Sequence, residues 1–252
     1  PPRSTLFPYT SLFRSALAVG AYAETLPLSK LPQGWQGGIE VQCRKGFCSG
    51  EGAVLLQING RKHRLPADFF TFSPRPDSGN TPTPDPITVD DFNFDGRPDI
   101  AVPRGQQGPY GSWSDDIYLQ TEDGNLLKSQ ELSELSDYYM GTPEIDRKRK
   151  LLIVYGKSGA AIHYTAHYRV AADGSLQQVY QRDDIHGGCK RQTGIKIEET
   201  TISANGKQHT RTRCLTEAQY EKQIKRDLKE TRPRRSGNAL TQIGRASCRE
   251  RV

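Results

Sequence analysis

Short runs of apolar and β-branched residues recur along the chain, and Asn-Gly or Asp-Gly pairs separate them. Such a pair accepts the positive φ angles of a two-residue hairpin turn, so it is the strongest short-range signal for a β-hairpin. Four of these pairs lie between strand-like runs: Asn59-Gly60, Asp123-Gly124, Asp173-Gly174 and Asn205-Gly206. They predict an antiparallel, all-β protein. The repeats are too unequal for a regular propeller, so we expect hairpins in a partial or β-propeller-like arrangement.

One helix is predicted near the C-terminal end of the chain. Thr216 and Gln219 have the spacing of a capping box, in which each side chain bonds the main chain of the other residue. Tyr220, Ile224 and Leu228 recur every four residues and form one apolar stripe. An Arg-Pro-Arg-Arg run follows and ends the helix.

The two ends of the chain resemble translated sequencing-adapter DNA. Residues 1–15 resemble the conceptual translation of a common short-read adapter, with Ser11 where that translation has Thr. Residues 243–252 resemble the same adapter on the other strand. We expect both segments to be adapter-derived and exclude them from inference about the fold. A disordered terminus is the alternative.

Excluding these ends changes the charge and the cysteine count. The 252-residue chain has a formal net charge of +6. Arg3 and Arg14 contribute +2, and the last ten residues, with three Arg and one Glu, contribute another +2, which leaves +2. The basic balance therefore gives poor support for a nucleic-acid partner. Five cysteines become four without Cys248, the even count that a disulfide framework needs.

Residues 16–23, A-L-A-V-G-A-Y-A, resemble the tail of a truncated signal peptide, with an A-x-A cleavage site before Glu24. A small apolar strand is the alternative. The leader predicts a periplasmic or secreted protein with a single β domain over residues 24–242. Within that domain, the Pro-rich residues 73–86 are expected to form an exposed connector. No apolar run approaches the ~20 residues of a membrane-spanning helix.

The four remaining cysteines allow three disulfide connectivities. We expect Cys43–Cys48 and Cys189–Cys214, because each pairing closes a local β unit, and an exported compartment favours such bonds. The alternative is a zinc site, but these spacings lack the tight cysteine pairs of zinc ribbons.

Residues 91–99, D-F-N-F-D-G-R-P-D, predict a calcium loop. Side-chain oxygens fall at loop positions one, three, five and nine, a main-chain carbonyl at position seven, and a glycine at the sharp turn of position six. The residues are, in that order, Asp91, Asn93, Asp95, Asp99, Arg97 and Gly96. Ca²⁺ prefers six to eight such hard oxygen ligands. The loop differs from an EF-hand because Val102 replaces the bidentate Glu and the flanking runs are strand-like. An Asx-rich turn without metal is the alternative.

This loop resembles the calcium loops of FG-GAP/VCBS repeats, the type found in integrin-α propellers. Residues 87–180 as a whole resemble a family of small periplasmic proteins with one such loop, through D-F-N-F-D-G-R-P-D-I-A-V, G-P-Y-G-S-W-S-D-D-I-Y-L and I-D-R-K-R-K-L-L-I-V-Y-G-K-S-G. Some members are immunity proteins against peptidoglycan-degrading toxins. Many relatives carry Cys-Cys-Trp-His after the last segment, where this chain has Ala160-Ala161-Ile162-His163.

The Gly-rich segment of residues 104–113 carries two aromatic residues, Tyr110 and Trp113, which are residue types that anchor interfaces. We expect them to bind a partner; the alternative is that they fold back on the core. His163 and His167 would share one face of a strand, as a metal pair or, in the simpler interpretation, as surface histidines.

Glu131, Glu134 and Asp137 are acidic and close in sequence, but spacing alone does not establish a glycosidase pair. The chain has no nucleophile elbow, phosphate loop or H-E-x-x-H motif. The sequence therefore predicts a non-enzymatic calcium protein. The resemblance implies an immunity protein that inhibits a peptidoglycan hydrolase toxin. A cell-surface adhesion or carbohydrate-binding module, an exported hydrolase and a structural protein are the alternatives.

Overall fold

A computed structural model describes residues 22–28, 30–74, 86–171, 173–190 and 193–231. The predicted adapter segments, residues 16–21 of the predicted leader, most of the Pro-rich connector and the Arg-Pro-Arg-Arg run lie outside these residues. Tyr22 and Ala23, the last two residues of the predicted leader, begin the first strand. The described chain is mostly antiparallel strand with a C-terminal helix, which confirms the predicted fold class.

The described chain divides into two compact units. The first runs to Lys150 and the second begins at Leu151, with the turn at residues 173–175 grouped with the first. The domain predicted for residues 24–242 therefore contains two units. No helix in the described part of the chain is long and apolar enough to cross a membrane.

The first unit contains two four-stranded sheets, each with its strands in sequential antiparallel order. The first sheet comprises β1 (Tyr22–Pro27), β2 (Trp35–Arg44), β3 (Phe47–Ile58) and β4 (Arg61–Phe72). The second comprises β5 (Thr88–Asp90), β6 (Asp99–Pro103), β7 (Asp115–Gln120) and β8 (Leu126–Ser129). Helix α1 (Gln130–Tyr138) and strand β9 (Glu144–Asp146) follow.

The core of the first unit lies between its two sheets. Val54, Ile58 and Phe69 from the first sheet share one buried cluster with Ile100 and Val102 of β6. Alternate residues of β3 and β4 are buried over most of their length, as in a sheet with one face on a core. All five residues of β6 are buried, so this strand is the centre of the unit.

Helix α1 has no counterpart among the predicted elements. Its N-cap is Ser129, whose side chain accepts from the main-chain N–H of Leu132. Two serines on its buried face accept main-chain N–H groups of β7: Ser133 Oγ from Ile117 at 3.0 Å and Ser136 Oγ from Asp115 at 2.9 Å. The helix is therefore held to the sheet by hydroxyl groups as well as by apolar contact.

The second unit is a meander of five antiparallel strands followed by helix α2 (Glu217–Thr231). The strands are β10 (Leu151–Ser158), β11 (Ile162–Val170), β12 (Leu176–His186), β13 (Ile195–Ile202) and β14 (Gln208–Leu215). The predicted capping box is present, because Gln219 N donates to Thr216 Oγ1 at 3.3 Å and Thr216 N donates to Gln219 Oε1 at 2.9 Å.

An arginine on β12 attaches α2 to the sheet. Arg182 donates to both carboxylate oxygens of Asp184, at 2.7 and 3.0 Å, and to Asp227 of α2 at 3.1 Å. The hydroxyl of Tyr220, also on α2, donates to Asp184 at 2.8 Å. Burial and the charge of Asp184 raise the pKa of Tyr220, so the hydroxyl remains a proton donor.

The four Asn-Gly and Asp-Gly pairs all lie in hairpin connections, between β3 and β4, β7 and β8, β11 and β12, and β13 and β14. Both predicted disulfides are present. Cys43–Cys48 bridges β2 and β3, and Cys189–Cys214 joins β14 to the segment after β12. These four cysteines are therefore not thiolate ligands of zinc.

We expect Ser133→Ala to lower the free energy of unfolding by about 1–3 kcal/mol, because it leaves the buried N–H of Ile117 without its acceptor. The exposed neighbour Glu134 provides the control, since Glu134→Ala should change stability by less than about 0.5 kcal/mol. Urea titration of both variants measures the difference. Equal stability of the two variants would show that the hydroxyl does not hold the helix.

Candidate functional site

The predicted calcium loop connects β5 to β6 and is wound around the carboxylate of Asp91. Oδ1 of Asp91 accepts from the main-chain N–H of Asp95 at 3.0 Å, and Oδ2 accepts from Gly96 at 2.9 Å. Gly96 has φ +88°, in the left-handed region that a residue without Cβ adopts freely. The predicted sharp turn at this glycine is therefore present.

The middle of the loop is built from Asx turns. Asn93 Oδ1 accepts from Asp95 N at 3.1 Å, and Asp95 Oδ1 accepts from Arg97 N at 2.8 Å. Asn93 Nδ2 also donates to Asp95 Oδ2 at 2.7 Å. This local bonding explains why alternate Asn and Asp residues form a tight loop here.

Asp99, the last predicted ligand, is fully buried at the first position of β6. Its two carboxylate oxygens accept from Phe92 N and Gln120 N, both at 2.9 Å. The pKa of Asp99 is raised to about 7, mainly by burial and also by the charges of Asp95 and Asp91, against the lowering effect of these two hydrogen bonds. The loop therefore places this carboxyl group in the interior, where two neutral main-chain donors favour its charged form and burial opposes it.

The donor set fits calcium in chemical type: three carboxylates, one amide oxygen and the main-chain carbonyl of Arg97 are hard oxygen ligands. A cation beside the loop would also favour the charged form of Asp99. However, the guanidinium of Arg97 itself donates to Asp95 Oδ2 at 2.6 Å and to the carbonyl of Gln120 at 3.0 Å. Within the described residues, no three or more His, Cys, Asp or Glu side chains form a ready metal cluster. Calcium binding stays a prediction.

The structure separates the two aromatic residues predicted to bind a partner. Tyr110 lies in the short 3₁₀ turn Pro109–Gly111, is 62 % exposed and has φ +58°. Trp113 is half-buried, and its ring meets Phe70 edge to face at 5.4 Å. Tyr110 is thus presented to solvent, whereas Trp113 folds back on the protein.

The loop that carries Tyr110 is closed at its neck by main-chain hydrogen bonds. Arg104 N donates to Ser114 O at 2.8 Å, and Ser114 N donates to Gly105 O at 3.0 Å. Gly105 N donates in turn to Asp68 O of β4 at 3.2 Å. We name residues 104–114 the tyrosine loop.

A charged cluster that the sequence does not reveal lies at this neck. Arg104 pairs with Asp116 at 3.0 Å and also donates to Asp137 at the end of α1. Lys128 pairs with the same oxygen of Asp116 at 2.9 Å. Beside them, burial raises the pKa of Asp115, whose carboxylate accepts from Thr142. In the sequence, this cluster is marked only by charged residues at the ends of apolar strands: Arg104 follows the I-A-V-P run, and Asp115 and Asp116 precede the I-Y-L run.

The other acidic and histidine residues singled out in the sequence do not come together in one site. Glu131 and Glu134 are exposed on α1, while Asp137 turns to Arg104. His163 and His167 contact different aromatic rings of β12, those of His186 at 5.7 Å and Tyr180 at 4.7 Å. These neighbours favour the interpretation of both histidines as ordinary strand residues.

We expect Asp99→Ala to lower the free energy of unfolding in calcium-free buffer by about 2–6 kcal/mol, because two buried N–H groups lose their acceptor at about 1–3 kcal/mol each. Asp95→Ala should cost less than about 1 kcal/mol, since the main-chain N–H groups of its exposed turn can bond water. Denaturant unfolding in the presence of a chelator makes the comparison. A small effect at Asp99 would mean that its buried bonds are replaceable.

No protein-family model and no curated protein matches this chain. Among solved structures, its fold is similar to one described as "Structure of a Xanthomonas Type IV Secretion System related protein". The TM-score is 0.56 and the sequence identity 17 %, over 77 % of this chain and 98 % of that chain. At this identity the likeness establishes a shared fold.

Proposed function

We propose that this protein is a calcium-binding periplasmic protein that binds and inhibits a peptidoglycan-degrading toxin. The observation that carries the proposal is the loop of residues 91–99, whose series of oxygen donors ends in the buried carboxylate of Asp99. Two disulfides and the likeness to a secretion-system-related protein are compatible with a periplasmic or secreted protein.

The residues that would hold calcium are Asp91, Asn93, Asp95 and Asp99 through side-chain oxygens, and Arg97 through its main-chain carbonyl. The ion would supply positive charge beside three carboxylates. Asp99 transmits this effect to the sheet, because its second oxygen binds the last residue of β7. In an exported compartment a modest affinity suffices, and extracellular calcium modules have dissociation constants of roughly 10⁻⁴–10⁻³ M.

The tyrosine loop is the element best suited to block a toxin. Tyr110 is exposed at the tip of a loop that is closed at its neck, so the side chain can enter a cleft without ordering a flexible segment. Tyrosine is among the residue types that dominate interface energies. The mechanism would be steric, and the identity of the partner rests on the family resemblance.

A carbohydrate-binding module is the second candidate function. It predicts that Tyr110 and Trp113 are exposed together as a stacking platform. Tyr110 meets this requirement, while the contact of Trp113 with Phe70 does not. The geometry therefore favours a single inserted side chain over a flat sugar platform.

Calcium binding is tested by calorimetric titration. We expect the wild-type protein to bind with a dissociation constant of roughly 10⁻⁴–10⁻³ M. Free calcium at 10–100 times that constant should raise the free energy of unfolding by about 1.4–2.7 kcal/mol, which is seen as a higher melting temperature. Asp95→Ala should abolish both effects. Asp123→Ala, in the exposed turn between β7 and β8, is the matched control and should leave both intact. Absence of heat and of any thermal shift in the wild type would leave the loop as an Asx-rich turn.

Inhibition is tested with any peptidoglycan hydrolase that proves to be encoded next to this gene. We expect the wild type to stop the clearing of a peptidoglycan suspension. Tyr110→Ala should weaken inhibition by ~30-fold, the loss typical of a 2 kcal/mol hot spot. Leu127→Ala, which truncates an equally exposed apolar side chain on β8, should inhibit like the wild type.

Three outcomes separate the alternatives. Equal inhibition by the Tyr110 and Leu127 variants would remove the tyrosine loop from the mechanism. Failure of the wild type to inhibit any neighbouring hydrolase would reject the toxin partner, whatever the calcium titration gives. Binding of soluble glycan chains that depends on Tyr110 would support the carbohydrate-binding module instead.

A further inference from the structure

A groove of about 530 Å³ crosses the outer face of the first sheet, opposite to the buried core. Its volume lies in the range of small-ligand sites, roughly 300–1,000 Å³. Two rows of facing residues form it, each running across β2, β3 and β4. One row is Gly38, Leu55 and Arg64, and the other is Gln36, Gln57 and Lys62.

The groove is open beside β2 because Gly38 carries no side chain on that face. A Cβ on Gly38 would lie 2.6 Å from the main-chain oxygen of Leu26, and a Cβ on Gly37 would lie 2.2 Å from that of Leu55. Both distances are far below contact, so the close approach of the strands requires glycine at each position. The gap beside Gly38 leaves the half-buried side chain of Leu55 as an apolar floor with polar side chains on either side.

The rim of the groove is basic. Arg64 pairs with Glu40 at 2.9 Å; the Arg64 side chain is largely solvent-exposed and that of Glu40 partly so. Lys62 has no ion pair or hydrogen bond with any residue in the described part of the chain. His63 turns the other way, with Nε2 at 3.1 Å from the carbonyl of Gly124. Two cations and one anion therefore leave one positive charge for a ligand to neutralise.

The chemistry of the lining indicates the class of ligand. The only aromatic ring among the lining residues is that of His63, which turns away from the groove, so a sugar or a nucleobase would find no stacking surface. The exposed amides of Gln36 and Gln57 can both donate to and accept from a peptide main chain. An aliphatic side chain matches the Leu55 floor, and a carboxylate matches Lys62 and Arg64.

We propose that this groove binds a short acidic peptide in which an aliphatic residue adjoins a carboxylate. The aliphatic side chain lies on Leu55 beside Gly38, the carboxylate bonds to Lys62 and Arg64, and the peptide main chain bonds to the two glutamine amides. The site is separate from the calcium loop and from the tyrosine loop, so it stands whether or not the protein binds calcium or a toxin.

The test is a titration of the isotope-labelled full chain with N-acetyl-Leu-Glu, followed by nuclear magnetic resonance. We expect saturable shifts of the main-chain amide signals of Gly37, Gly38 and Leu55. The neutral analogue N-acetyl-Leu-Gln-amide should bind at least ~10-fold more weakly, because it lacks the groups for charge-assisted hydrogen bonds.

One variant tests the rim without disturbing the core, and a second, far from the groove in sequence, is the control. Lys62→Gln should weaken binding of N-acetyl-Leu-Glu by ~10-fold. Lys222→Gln, at an exposed lysine of α2, should bind like the wild type. Each variant's spectrum outside the affected region reports whether it is folded. Absence of saturable shifts at the three amides, or equal binding of the acidic and neutral peptides, would overturn the proposal.

Discussion

The buried carboxylate of Asp99 is the constraint on which the centre of the first unit depends. It begins β6, the fully buried strand, and it accepts one N–H from the loop before it and one from the end of β7. An unpaired anion in the interior is costly, so the chain must bring these donors to it. Phe92, which supplies one of them, is itself fully buried. The loop therefore cannot change shape without disturbing both a buried polar group and the core.

Charged pairs attach both helices to their neighbouring strands in a similar way. Near its C-terminal end, α1 presents Asp137 to Arg104, which follows β6, and α2 presents Asp227 to Arg182 on β12. These groups are partly exposed, so solvent reduces their contribution to stability. Each arginine bonds two carboxylates, and this geometry fixes the orientation of the helix relative to its strand. In the first unit, the element oriented by this pairing is the base of the tyrosine loop, which connects a local ion cluster to the exposed side chain of Tyr110.

The sequence predicts those features that depend on residues close along the chain. Asn59 and Gly60 both adopt the positive φ angles that their hairpin requires, and the capping box of α2 spans only four residues. The sequence does not predict the short helix α1, because half of the residues on its buried face are serines. These serines accept hydrogen bonds only from β7, which must lie beside the helix. The orientation of Trp113 is equally non-local, since Phe70 lies more than forty residues earlier.

The hydrogen bonds within the loop do not by themselves distinguish a metal-free turn from a calcium site. Each carboxylate oxygen has two lone pairs, and the N–H groups bound by Asp91 occupy one on each oxygen. The charges are more informative. Asp91, Asp95 and Asp99 carry three negative charges when ionised, and Arg97 supplies one positive charge. Two negative charges remain, which is the charge of one divalent cation, whereas a monovalent ion would leave one of them uncompensated beside the buried Asp99. This balance agrees with the proposal that the loop binds a hard divalent ion.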